Sequence, residues 1–207
     1  MAESFELYEA LLWEPSPGYF LLDAHLARLE RSAKHFRFAL DLGRVRAELL
    51  AFASRLPRAP RKVRLELSRD GSLFLEHVDV KPSTPVRAAL AKTSVDSADE
   101  FLRHKTSRRG VYQRALAARP DAQDVVLWNE RRELTESCAA NLVLELEGLR
   151  LTPAASSGLL LGTFRCHLLE RGEIEEAVLP VDAIARASRA FLINSVRKWY
   201  EIRWLDA

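Results

Sequence analysis

Four short segments of the sequence carry side chains suited to chemistry. The first surrounds Lys105, where His104, Arg108 and Arg109 add further basic groups. A lysine among cations gives up its proton more readily, and a neutral lysine attacks a carbonyl carbon to form a Schiff base. The same composition is typical of a solvated basic loop, so this segment alone leaves both interpretations open.

The other three segments offer an acid and groups that bind anions. Glu136 precedes small residues, and a glutamate in such a position usually lies on the surface. The small-residue loop from Ser156 to Thr163 leads into a predicted helix, whose first N–H groups can hold an anion. Its glycine spacing matches neither a Walker A loop nor a dinucleotide-binding fingerprint. Asn194 and Ser195 follow a predicted strand and add polar groups. Each signal is unspecific by itself, and the order of the four along the chain is the informative feature.

The elements that must position these residues fall into two groups. Strand, turn and helix patterns alternate up to residue 92, and the first helix is predicted over residues 23–36, with Arg28 largely off its apolar stripe. Short helices and mixed strands follow after residue 109. The order favours an α+β fold over a doubly wound parallel sheet. We expect a small N-terminal domain over residues 1–95 and a larger domain over residues 96–207 that carries Lys105.

Composition excludes several classes of protein. The chain has 207 residues, of which 48% are hydrophobic and 29% charged, as in globular proteins with a sizeable core. Its 31 basic and 29 acidic residues give a net charge of +2, and no aromatic motif interleaves the basic clusters, so we expect no nucleic acid partner. The cysteines and histidines lack metal-ligand spacing, and no apolar run is long enough for a membrane span. With no secretory signal evident, we expect a cytoplasmic protein without a metal.

Taken in order, the motifs resemble those of fold-type IV pyridoxal-phosphate enzymes. Asp23–Ala33 is similar to the family's H-x-x-R-L-x-x-S-A segment, and His104–Tyr112 to the H-K-T-x-R-x-x-Y segment that holds its lysine. Residues 129–142 resemble the stretch N-E-x-x-E-[IL]-T-E-x-x-x-x-N-[LI], and Gly162–Arg165 and Asn194–Ser195 follow at the family's spacing. The resemblance covers nearly the whole chain. It is closest to aminodeoxychorismate lyase, and above all to the lyase domain fused to aminodeoxychorismate synthase.

The resemblance implies a fold, a cofactor and a set of site residues. The fold would combine a small α/β sandwich domain with a larger, barrel-like mixed sheet, and the cofactor would be pyridoxal 5'-phosphate. Lys105 would hold the cofactor and transfer protons, while Glu136 would pair with the pyridine nitrogen. The remaining implied roles are phosphate binding by Arg28, by the N–H groups of Thr163 and Phe164 and by Ser195, a place in the cofactor pocket for Tyr112, and recognition of a substrate carboxylate by Arg64.

The implied reaction converts 4-amino-4-deoxychorismate to 4-aminobenzoate and pyruvate, on the way to folate. The family implies a homodimer, with aminodeoxychorismate synthase as a functional partner. An aminotransferase acting on branched-chain or D-amino acids would begin with the same cofactor chemistry, and a catalytically inactive binding subunit would keep only the fold. The T-x-R-x-x-Y run after Lys105 favours the lyase, and the presence of both Lys105 and Glu136 argues against an inactive subunit.

Three positions depart from the family's pattern. Ala10 stands where threonine is common, Leu161 replaces a proline and Lys198 replaces a glycine. None of these changes removes a group needed to bind the cofactor, whereas Ala10 would affect substrate choice or rate. We expect His25 and His104 to be structural or hydrogen-bonded, and the two cysteines to pack as small hydrophobic side chains.

Overall fold

The computed structural model describes residues 4–205, which form two compact units. The first unit contains the residues up to Lys81 together with His104–Arg108. The second contains Pro82–Arg103 and the residues from Arg109 onward. Each unit combines helices with one mixed or antiparallel sheet, so the predicted α+β class is confirmed.

The first unit is a four-stranded antiparallel sheet with two helices. Its elements are β1 (Leu7–Glu14), β2 (Gly18–Tyr19), α1 (Leu22–Phe36), α2 (Leu42–Ala53), β3 (Arg61–Leu67) and β4 (Leu73–Asp79). The sheet order is β2-β1-β3-β4. Directly paired residues share a face of the sheet, and the pairing of Leu11 with Val63 marks the face that enters the core. The pairing of Ala10 with Arg64 marks the opposite face.

The second unit is built on an eight-stranded mixed sheet. Its strands are β5 (Val86–Leu90), β6 (Asp124–Trp128), β7 (Leu134–Ser137), β8 (Asn141–Leu146), β9 (Leu149–Pro153), β10 (Glu175–Ala177), β11 (Arg189–Asn194) and β12 (Lys198–Trp204). Its helices are α3 (Glu100–Arg103), α4 (Gly110–Ala117), α5 (Thr163–Glu170) and α6 (Ala183–Arg186), with a short 3-10 helix over Ala155–Ser157.

Six of these strands close into a ring. The order is β10-β9-β8-β11-β12-β5-β6-β7, and β7 also pairs with β8. The pair that closes the ring is Glu136 with Asn141. A buried apolar cluster takes residues from every strand of the ring, among them Ala88, Val126, Leu134, Leu142, Leu192 and Ile202. The predicted barrel-like sheet is therefore confirmed, and Glu136 lies at its seam.

The division into units differs from the predicted boundary near residue 95 in two places. β5 belongs to the second unit because it pairs with β6 and β12. Lys105, expected in the larger domain, belongs to the first unit. The N–H of Tyr8 donates to the Lys105 carbonyl at 3.0 Å, and the N–H of Ser107 donates to the Glu6 carbonyl at 2.8 Å. Such pairing between residues a hundred positions apart leaves no trace in local sequence patterns.

Candidate functional site

Lys105 lies in an irregular segment that is held on one side by the chain around the start of β1 and on the other by α1. Besides the two backbone hydrogen bonds, the Ser107 hydroxyl donates to Glu6 Oε2 at 2.7 Å and accepts from the Glu6 N–H at 2.9 Å. On the other side, His104 Nδ1 lies 2.9 Å from the Ser32 hydroxyl of α1. The lysine side chain is thus presented from a backbone with little freedom to move.

The ring of Tyr8 brings together two of the predicted site residues. Lys105 Nζ lies 4.7 Å from the ring centroid, and Arg64 Cζ lies 4.5 Å from it. Both distances are within the range of cation–π attraction. The Arg64 Nε also donates to Glu66 Oε1 at 2.6 Å. Tyr8 is buried, and sequence reasoning did not single it out.

Arg28 is held in a buried cluster with Glu9 and His25. Its Nε donates to Glu9 Oε1 at 2.8 Å, its Nη2 donates to Oε2 at 2.5 Å, and His25 Nδ1 lies 2.6 Å from Oε2. Although Arg28 lies largely off the apolar stripe of the helix, only 5% of the residue is exposed. The reason is that Glu9 lies on the core face of β1, opposite α1, where a carboxylate requires a cationic or hydrogen-bonding partner.

Electrostatics keep this cluster in one protonation state near neutral pH. Burial alone would raise the pKa of Glu9, but the charge of Arg28 and the hydrogen bonds from Arg28 and His25 lower it to about 2. Burial lowers the pKa of His25 and outweighs the opposite effect of Glu9. A neutral imidazole beside an ionised carboxylate must carry its proton on the nitrogen that faces it, so His25 Nδ1 donates to Glu9. The expectation that His25 and His104 are hydrogen-bonded is confirmed.

Glu136 is the centre of a second, separate constellation in the second unit. Its Oε1 accepts from the Tyr112 hydroxyl at 2.8 Å and from the N–H of Leu160 at 3.2 Å. Asn141 Nδ2 lies 3.5 Å from its Oε2. Only 5% of Glu136 is exposed. A carboxylate fixed by several donors in a buried place is suited to stabilise a positive charge on a bound group.

The start of α5 lies close to this constellation. Asn141 Nδ2 also donates to the Leu160 carbonyl at 2.8 Å, which ties the loop before the helix to β8. Gly162 precedes α5 and offers no capping side chain, and a Cβ added there would overlap Asn141 Oδ1. Thr163 and Phe164 form the first turn, where helical N–H groups favour anions.

Ser195 lies in the turn that joins β11 to β12. It is 7% exposed, and the Asn194 Oδ1 fixes the turn by accepting from the N–H groups of Val196 and Arg197 at 3.0 and 2.8 Å. Lys198, one of the departures from the family's pattern, directly follows this turn and has a strained backbone conformation. Lys198 takes a φ of 57°, the left-handed conformation that favours the glycine of the family's pattern.

The sequence matches the family described as amino-transferase class IV over residues 6–205. The chain belongs to this family. A protein of Schizosaccharomyces pombe, provisionally named an aminodeoxychorismate lyase, is 30% identical over 206 residues, covering 95% of this chain and 88% of that protein. The name of this relative is that of the enzyme which the motifs of the class IV chain resemble.

Solved structures of related proteins share the fold. A provisionally named amino-acid aminotransferase from Mesorhizobium loti superposes with a TM-score of 0.90 at 35% identity, over 97% of this chain and all of that one. A hypothetical aminotransferase from Mycobacterium tuberculosis in its pyridoxal-phosphate-bound form gives 0.85 at 22% identity, over 97% and 81%. The class IV chain thus has the fold-type IV architecture predicted from its motifs.

The class IV family implies pyridoxal phosphate, and the residues present fit this cofactor. In residues 4–205 the buried hydroxyls of Thr106 and Thr135, each next to a predicted site residue, have no hydrogen-bond partner. Buried polar atoms are normally satisfied, so both positions are suited to a further polar group. The fixed carboxylate of Glu136 and the first turn of α5, whose N-cap is Gly162, match a protonated ring nitrogen and a phosphate, respectively.

Two other features of the described residues bear on earlier expectations. No group of three metal-ligating side chains occurs among residues 4–205, and none of their helices is long and apolar enough to cross a membrane. Cys138 is 3% exposed in an apolar cluster, where burial raises the pKa of its thiol to about 12. Its predicted role as a small hydrophobic side chain is confirmed.

Proposed function

We propose that this class IV chain is a pyridoxal-phosphate-dependent lyase that converts 4-amino-4-deoxychorismate to 4-aminobenzoate and pyruvate. The observation that carries the proposal is the buried Glu136 carboxylate, held by Tyr112 and the Leu160 N–H. The name of the Schizosaccharomyces pombe relative supports the lyase over other reactions of the family. We also propose a homodimer that supplies 4-aminobenzoate together with aminodeoxychorismate synthase.

When bound, pyridoxal phosphate withdraws electrons from the substrate atoms attached to it. Lys105 would hold the cofactor covalently through Nζ, and the same nitrogen would accept and return a proton of the substrate. The rigid segment around Lys105 keeps that nitrogen within reach during both roles. Glu136 stabilises a proton on the pyridine nitrogen, and Tyr112 keeps the carboxylate oriented.

The anionic groups require cations and N–H donors. Arg28 binds the cofactor phosphate by charge-assisted hydrogen bonds, and the N–H groups of Thr163 and Phe164 together with the Ser195 hydroxyl bind it as well. Arg64 binds a carboxylate of the substrate. Arg64 and Lys105 both contact the ring of Tyr8. A substrate that carries a carboxylate and an amine would need both of these groups close together.

The experiment that tests the cofactor role is an absorbance titration with pyridoxal phosphate, followed by borohydride. We expect a cofactor band in the native chain and, after borohydride, covalent labelling of the peptide that contains Lys105. Lys105→Ala should show no labelling at that peptide, while Lys34→Ala, which removes an exposed lysine of α1, should behave as native. A native chain that shows neither band nor label would refute the proposal and favour an inactive binding subunit.

A second candidate is a class IV aminotransferase, favoured by the name of the Mesorhizobium loti protein at 35% identity. The two activities differ in their products. Incubation with 4-amino-4-deoxychorismate should release 4-aminobenzoate and pyruvate from a lyase. Branched-chain or D-amino acids should convert the cofactor of an aminotransferase to its amino form, without any 4-aminobenzoate being formed. The second result alone would replace the lyase by the aminotransferase.

A further inference from the structure

The buried cluster of Glu9, His25 and Arg28 contains more polar groups than an ion pair between β1 and α1 requires. Arg28 contacts both oxygens of one carboxylate through two different nitrogens, and His25 contacts the same carboxylate from three residues earlier on α1. Exposure is 2%, 0% and 5% for Glu9, His25 and Arg28. Since taking charges out of water is expensive, an arrangement of this kind calls for a reason beyond stability.

We propose that Glu9 is a positioning residue for Arg28, setting the plane in which the guanidinium presents its N–H groups to the phosphate of the cofactor. His25 acts one step further away by fixing the Glu9 carboxylate. This inference rests on the proposed function, in which Arg28 binds that phosphate. It assigns to Glu9 and His25 a role in selecting a phosphorylated ligand, not in the reaction itself.

The geometry of the guanidinium supports this assignment. It is planar and carries its five N–H groups in fixed directions. Glu9 lies against the edge that contains Nε and Nη2. A two-point contact at one edge fixes the direction of the whole plane, including the opposite edge. Phosphate recognition by arginine depends on such direction because the strongest contacts are two parallel hydrogen bonds.

Three roles of Glu9 make different predictions for the ratio of two dissociation constants, that of pyridoxal divided by that of pyridoxal phosphate. The two ligands differ only in the phosphate, so the ratio isolates phosphate recognition. If Glu9 positions Arg28, its replacement lowers the ratio. If Glu9 merely places a negative charge near the phosphate, its replacement raises the ratio. If Glu9 only supports the fold, both affinities fall and the ratio stays unchanged.

The test measures both dissociation constants by titration on the native chain and on Glu9→Gln, His25→Gln and Asp121→Asn. We expect Glu9→Gln to lower the ratio about tenfold, the equivalent of one charge-assisted hydrogen bond, and His25→Gln to lower it less. Asp121→Asn is the matched control, because Asp121 also takes two hydrogen bonds from one arginine, Arg119, but is exposed. It should keep the native ratio.

Each outcome has a definite meaning. A native preference for pyridoxal phosphate that Glu9→Gln retains or increases overturns the positioning role and leaves the proposed function intact. A native chain that binds both ligands equally overturns the positioning role alone, whereas a native chain that binds neither ligand overturns the positioning role and the proposed function together. If Glu9→Gln does not fold, His25→Gln decides by the same ratio, since an unchanged value there would equally overturn the proposal.

Discussion

The Tyr8 ring links the two cations that the proposed reaction uses on substrate and cofactor. A cation above an aromatic face is attracted by the ring itself, so the hydroxyl of Tyr8 is not needed for the effect. The ring contributes about 0.5–2 kcal/mol per cation at partly desolvated sites. Tyr8 is therefore expected to fix the position of Lys105 Nζ and Arg64 together.

We predict that Tyr8→Leu weakens pyridoxal phosphate binding and raises the substrate KM, while Tyr8→Phe stays within about threefold of the native chain. Leucine keeps the apolar volume but removes the π face that holds both cations. The measurements are a cofactor titration and steady-state release of 4-aminobenzoate. A phenylalanine variant as impaired as the leucine variant would show that the hydroxyl, not the ring, is the important group.

Residue-scale reasoning from the sequence predicted charged site residues but not the side chains that contact them. Lys105, Arg28 and Glu136 were predicted because their motifs resemble those of the family. Glu9 was missed, although it had a usable signal: a charged residue at a core-facing position of a predicted strand needs a buried partner. Tyr8 had no such signal, since its contacts depend on a segment a hundred residues away.

At the scale of the elements, the sequence predicted the first helix over residues 23–36 and the strand before Asn194, but not three strands of the second unit. β12 lies between β11 and β5 in the sheet and was not predicted, and neither were β7 and β10. β7 and β10 have only four and three residues, too few for an alternating pattern to be recognised. The closure of the ring could not be derived from the sequence because it depends on one pair, Glu136 with Asn141.

The loop before α5 depends on a close approach of two backbones. Gly158 has a φ of 84°, and a Cβ added there would lie 2.6 Å from the Cα of Ser97. We predict that Gly158→Ala lowers the free energy of unfolding by about 2–4 kcal/mol, through left-handed strain and overlap with backbone. Gly148→Ala is the control, because its φ is 83° and nothing lies within 4 Å of its added Cβ.

The comparison of these two glycines separates strain from overlap. Gly148→Ala should cost about 1–2 kcal/mol, since only the left-handed conformation is penalised. The difference between the variants, measured by urea unfolding, then reports the overlap with Ser97. Equal losses would mean that the loop moves aside at little cost, and that the contact does not fix the chain before Leu160.

Lys198 allows the opposite experiment at the turn between β11 and β12. Because its φ of 57° is strained for any residue with a Cβ, we predict that Lys198→Gly raises the unfolding free energy by about 0.5–1 kcal/mol. Lys198→Ala keeps the Cβ and removes the rest of the side chain, so it should show no such gain. If alanine and glycine stabilise equally, the lysine side chain and not the backbone is the source of the strain.

At the scale of the whole molecule, each unit is assembled from segments that are far apart in sequence. The first unit takes His104–Arg108 from the middle of the second, and the second unit takes Pro82–Arg103 from before that insertion. Because His104–Arg108 is hydrogen-bonded to β1, the sheet of the first unit fixes the position of Lys105. A single boundary in the sequence, such as the one predicted near residue 95, cannot describe this division into units.

The buried cluster of the first unit should govern how stability depends on pH. The pKa of Glu9 is lowered from 4.5 to about 2, so its stabilising effect is complete above pH 4.5 and is lost as the pH falls toward 2. The pKa of His25 is lowered by burial, so the folded state resists its protonation. Stability should therefore begin to fall below about pH 6.5, where an unfolded histidine takes up its proton. The lowered pKa values of Glu9 and His25 therefore both make the folded state less stable as the pH falls.

We predict that the native chain exceeds Glu9→Gln in unfolding free energy by about 3 kcal/mol at pH 7, and that this difference shrinks by about 2 kcal/mol at pH 3. Urea unfolding at a series of pH values measures both quantities. Asp121→Asn, which removes an exposed carboxylate from an arginine pair, should change stability much less at pH 7. A Glu9 difference that stays constant from pH 7 to pH 3 would show that ionisation of this carboxylate does not stabilise the fold. The unfolding free energy of Glu9→Gln should still fall below about pH 6.5, because His25 remains buried in that variant.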